Sequence, residues 1–150
     1  MRTLSYRALF STMLLTGVVL GQPAQARDTL LNLNAQAALE KGRQTGDILS
    51  DVKVYFAGET TPTVEKKMGE FKSNKKTNAF NKSDEEACQW AFFSAVKSLQ
   101  ERALKEGGNA VVDVKSNYRD KEFVSATEFQ CGAGAFIGGV ALKGTVAKLK

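Results

Sequence analysis

The sequence predicts an α+β fold in which one main capped helix packs on an antiparallel sheet of about four to five strands. Three observations carry that expectation. Residues 83–108 have the apolar period of a helix together with a start and a stop signal. Segments on both sides of it alternate apolar and polar residues as strands do. The 150 residues, 43% hydrophobic and 25% charged, suit one hydrophobic core.

At the N-terminus, Arg2 and Arg7 flank the start of an apolar run over residues 8–20, which leads into Gly21-Gln22-Pro23 and the small-residue site Ala24-Gln25-Ala26. This is the pattern of a secretory signal peptide over residues 1–26, and its apolar run is shorter than a membrane span requires. No Cys stands at the cleavage point to carry a lipid. Removing these residues leaves 124 and lowers the net charge from +5 to +3. The protein is therefore expected to be periplasmic or secreted, with no membrane span after processing. In that oxidising setting Cys88 and Cys131 are expected to form a disulfide, two buried thiols being the alternative.

Residues 27–50 read as a leader, either a short helix or an extended arm, carrying Leu30, Leu31, Leu33, Ala35, Ala37, Ala38 and Leu39 and ending at Gly42 and Gly46. A single α+β domain follows over residues 51–150. Within it, residues 51–57 set Val52, Val54 and Phe56 against Lys53, Tyr55 and Ala57, which is a strand. Residues 58–62 are a turn, residues 64–73 a weaker strand candidate, and residues 72–82 a polar connector rich in Lys. The helix begins at Ser83, whose hydroxyl can accept from the N–H of Glu86 in a capping box, with Asp84, Glu85 and Glu86 at the positive end of the helix dipole. Gly107 and Gly108 supply its left-handed stop.

On that helix Cys88, Ala91, Phe92, Ala95, Val96, Leu99 and Ala103 share one face, the expected core side. Phe93, Leu104 and Trp90 lie progressively further round, so this side is expected to meet the leader or a partner subunit. Residues 109–118 and 122–131 read as a hairpin about the turn at residues 119–121. Residues 132–139 read as a loop or irregular edge, and residues 140–149 as a final strand with Gly144 as a bulge.

The chemistry excluded is broad. With no His, Ser-His-Asp and Cys-His nucleophile systems are absent. Two Cys cannot supply the thiolates of a four-cysteine zinc or iron-sulfur site. Residues 138–145 place Lys143 and Gly144 in the wrong order for a phosphate-binding loop, and Gly132-x-Gly134 lacks the third glycine of a dinucleotide fingerprint. These glycines read instead as a bulged or close-packed strand end. No catalytic constellation, metal site or cofactor is expected. The densest basic region, Lys66, Lys67, Lys72, Lys75, Lys76 and Lys82, reads as a solvated edge or as a contact for an anion such as lipopolysaccharide or nucleic acid. Only Phe71 and Phe80 accompany it as aromatics, a sparse stacking platform for nucleic acid.

Residues 107–112 (GGNAVV) after a capped helix, and residues 144–147 (GTVA) in the last strand, resemble the YbjQ-like family of small bacterial α+β proteins. The fold is also similar to that of the Rcs envelope-stress lipoprotein, whose lipid-anchoring Cys has no counterpart here. The segments VKVYFAG, NKKTNAF, SDEEACQWAF and SATEFQCGAGA, spanning residues 52–135, resemble small exported proteins described as excinuclease subunits. These resemblances imply an exported, non-catalytic binding or envelope-homeostasis module of unknown ligand. They also admit an oligomeric assembly subunit of YbjQ-like type or a nucleic-acid-related protein. The implied partners are an envelope component or further copies of the chain.

Overall fold

A computed structural model describes residues 27–150; the expected signal peptide over residues 1–26 lies outside them. The chain runs β1 (Asp28–Asn34), α1 (Ala35–Thr45), β2 (Lys53–Phe56), β3 (Val64–Asn78), α2 (Asp84–Glu106), β4 (Ala110–Tyr118), β5 (Lys121–Phe123), β6 (Glu128–Gly134) and β7 (Ile137–Leu149). This is an α+β fold whose mostly antiparallel sheet has seven strands among the described residues, in place of the expected four to five.

The additional strands come from segments whose alternation is weak. Residues 27–50 supply both a strand and a helix: β1 pairs with β6 from Asp28↔Gly134 to Asn34↔Glu128, and Asn34 then caps α1 by accepting from the N–H of Ala37 at 2.8 Å. The lysine-rich connector is strand as well, because β3 continues along β7 through Lys72↔Lys143 to Asn78↔Ile137. The expected hairpin is shortened to three pairs between β4 and β5, after which the chain crosses to place β6 beside β1 and β7. Residues 132–139 are not a loop, since β6 continues to Gly134 and β7 starts at Ile137. The irregularity expected at Gly144 lies opposite it on β4, where Asp113 takes φ 54° and the register slips between Val112 and Lys115. Gly144 leaves room for that bulge, as a Cβ there would come within 2.8 Å and 2.9 Å of the Val111 and Val114 side chains.

Strand β7 organises the sheet. β3 runs along one edge of it, while β4 and β6 share the other, bringing β2 and β5 (on β4) and β1 (on β6) with them. Helix α2 starts as its sequence requires, with the Ser83 hydroxyl accepting from Glu86 N–H at 3.1 Å, and ends at Gly107 with φ 82°. Its expected core stripe is buried in full, and Phe92 stacks on Phe129 of β6 at 4.1 Å between ring centroids. The disulfide between Cys88 and Cys131, 5.8 Å apart at Cα, ties α2 to β6 on the same face. Burying each of these Phe side chains contributes roughly 1.5–3 kcal/mol.

Candidate functional site

Two consecutive glycines of β7 distinguish the face of the sheet that α2 covers from the face it leaves open at this end. A Cβ on Gly138 would meet Ala87 of α2 at 3.1 Å, whereas one on Gly139 would meet Lys76 Cγ at 3.6 Å and the Tyr118 ring at 3.8 Å. Successive strand residues point to opposite faces, so Gly139, Lys76 and Tyr118 lie on the face away from α2. Gly132 pairs with Gly139 in register and shares this face, where a Cβ would collide with the Tyr118 ring and hydroxyl. Small residues thus make a floor, and Tyr118 lies across it.

Around this floor is a cleft of about 330 Å³, lined by Arg27, Asp28, Asn74, Lys76, Tyr118, Arg119, Ile137 and the glycines 132, 134 and 139. Its parts come from widely separated segments. Asn74 and Lys76 alternate along β3 opposite Ala141 and Gly139. Tyr118 ends β4, and Arg119 and Asp120 form the two-residue turn to β5 with φ 52° and 58°. Positive φ at both positions matches the twist of a tight hairpin, although it strains residues other than Gly or Asn. A second hollow of about 340 Å³, lined by Leu30, Phe123 and Gln130, adjoins the first across Asp28, Tyr118 and Arg119.

The charges fall into two groups. Arg27 donates to both Asp84 oxygens at 2.8 and 2.7 Å and to the Gly134 carbonyl at 3.2 Å. This hydrogen bonding holds the Asp84 carboxyl below the usual carboxylate range. Asp28 accepts from Arg119, and from the Tyr118 hydroxyl at 3.4 Å, so it orients both side chains. Further along the same face, Lys143 pairs with Glu122 and with Glu70 at 3.4 Å, Lys115 reaches Glu122 and Asp113 at 3.6 Å, and Lys72 reaches Asp120 at 3.4 Å. The Lys143 hydrogen bond lowers the Glu122 pKa. In this ladder each of the three lysines has a carboxylate partner. Within the cleft, by contrast, Lys76 and Asn74 make no side-chain hydrogen bond or ion pair among the described residues, and part of the Arg119 guanidinium is unused. The site is rich in donors and short of acceptors.

The lysines singled out from sequence do not form one patch. Lys66 and Lys67 stand opposite Lys148 and Ala147 near the other end of the sheet, Lys75 stands opposite the buried Val140, and Lys82 lies in the loop before α2. Only Lys76 lines the cleft. Phe93 is buried under the leader, close enough to α1 that a Cβ on Gly42 would lie 3.0 Å from its ring. Trp90 packs edge-on against Phe93 and remains 44% exposed, and Leu104, 53% exposed, sits about 21 Å further along α2. Arg27, Asn74, Tyr118 and Arg119 escaped the sequence reading. The signal that points to them is Gly132-x-Gly134, whose spacing of two bares one face of a strand.

Among the described residues no three His, Cys, Asp or Glu side chains gather as metal ligands, and no helix is long and apolar enough to cross a membrane. No family model matches the chain, and no curated protein matches it significantly.

Proposed function

We propose that the protein is an exported, non-catalytic binding module of the cell envelope, with the cleft over Gly132 and Gly139 as its binding site. One observation carries this reading: among the described residues, donors without partners converge on a concave, glycine-floored sheet face that neither α1 nor α2 covers. The Cys88–Cys131 disulfide is compatible with the oxidising compartment that export requires. Small-molecule extract of the envelope, added to ¹⁵N-labelled protein, is expected to shift the amide resonances of Gly132, Gly134 and Gly139. The same extract leaves Gly139→Val unshifted. Equal responses from both proteins, or none from either, would remove the cleft from consideration.

A second reading, an assembly subunit of YbjQ-like type, draws on a different surface. Phe80 and Phe136 stack at 6.2 Å while 57% and 65% exposed, with Ile137 beside them. Exposed aromatic clusters of this kind mark contact surfaces. Light scattering over a dilution series tests it. A mass above one chain that falls to one chain in Phe136→Ser supports assembly, and a single-chain mass throughout discards it.

A further inference from the structure

Resting on the reading of the cleft as a binding site, we propose that its ligand is a small cyclic carboxylate. The carboxylate would sit on Lys76 and Asn74, and the ring against Tyr118 above Gly139. The argument begins with charge. Arg27 is already committed to Asp84 and Arg119 to Asp28, whereas the Lys76 side chain has no partner among the described residues. This surplus positive charge calls for an anion. The donors around Lys76, the Asn74 amide and the free N–H groups of Arg119, call for an acceptor with two oxygens.

Shape supplies the rest. Gly139 separates the Lys76 stem from the Tyr118 ring, with a Cβ position 3.6 Å from Lys76 Cγ and 3.8 Å from the ring, so the floor between stem and ring carries no side chain. Flat molecules can lie there edge to face or stacked against Tyr118. A cleft of about 330 Å³ suits one ring with its substituents. A sugar acid and an aromatic acid share this chemistry.

Glucuronate and benzoate are the probes, with glucose, benzyl alcohol and acetate as controls, each titrated into ¹⁵N-labelled protein. At least one of the two acids is expected to shift Gly132, Gly134 and Gly139 with a Kd of about 1 mM or tighter, and the controls to bind at least about tenfold more weakly. A response to glucuronate alone identifies a sugar acid, and to benzoate alone an aromatic acid. Lys76→Gln should weaken the acid about tenfold, to the level of its neutral analogue. Gly139→Val should abolish the shifts. If that variant fails to fold, Gly139→Ala, whose Cβ meets only ordinary contacts, should weaken binding severalfold. Acetate or a neutral ring binding as well as the acids, or Lys76→Gln binding unchanged, would overturn the ligand class. So would silence from both acids up to about 20 mM. In each of those cases extract that still shifts the three glycines preserves the cleft as a site, whereas shifts confined elsewhere take down both readings.

Discussion

Gln100 holds the irregular chain after α1 against α2. Its carbonyl oxygen accepts from Leu49 N–H at 2.8 Å, and its amide donates to the carbonyls of Leu49 at 2.8 Å and Val52 at 2.7 Å. The side chain is buried, so three backbone groups depend on it. Gln100→Leu fills the same space yet orphans them, and urea unfolding should show a loss of about 2–4 kcal/mol. Ser73 presents the opposite case. Its buried hydroxyl has no hydrogen-bond partner among the described residues, so it bears a desolvation cost with no return. Ser73→Ala is expected to leave stability unchanged or raise it by about 1 kcal/mol, measured the same way. A drop of that size would show that the hydroxyl has a partner after all.

At the scale of elements, the Tyr118 end of β4 and the Gly132 region of β6 are matched surfaces. Gly132→Ala drives a Cβ into the Tyr118 ring and is expected to cost about 1–3 kcal/mol, as overpacking does. In a Tyr118→Ala background the same change should cost far less, so a double-mutant cycle reports the contact directly. The elements also differ in how much of them can be read from sequence. α2 was legible because its cap, its period and its stop are local: Ser83, the buried stripe and Gly107 each act within a few residues. β3 was not, since Lys72, Asn74 and Lys76 face solvent while Ser73 and Thr77 on the other side are small and polar, leaving little alternation to detect. β6 and β7 meet at glycines that carry no side-chain pattern. The cleft depends on β1, β3, β4, β6 and β7 arriving together, which no local spacing encodes. Of its residues, only Lys76 was among the anion contacts expected from sequence.

At the scale of the whole molecule, two carboxylates contribute to the response to acid. Asp84, hydrogen-bonded by Arg27, and Glu122, hydrogen-bonded by Lys143, both have pKa values lowered in the fold. A lowered carboxyl pKa adds stability that is complete above the unfolded value and is lost as pH falls through the folded one. Urea midpoints should therefore stay level on the acid side until pH nears the ordinary values of 3.8 and 4.5, then decline. Asp84→Asn should flatten that decline. Lys143, raised by the same Glu122 hydrogen bond, acts with the opposite sign, its contribution fading only as pH climbs through its elevated value. A midpoint that falls between pH 7 and 5 would contradict this assignment.

The placement of β7 decides the order in which the sheet can be built. β3, β4 and β6 all precede it in the chain, and each must wait for residues 137–149 before the ladders to β7 can form. A chain emerging N-terminus first therefore holds two strand groups with no backbone ladder between them, β1 with β6 and β4 with β2 and β5, while β3 lies alone. Such long closures slow folding to roughly the millisecond-to-second range. Cys88 and Cys131 are both present before β7, so oxidation can fasten α2 to β6 first and give the late strand a half-built template on which to dock.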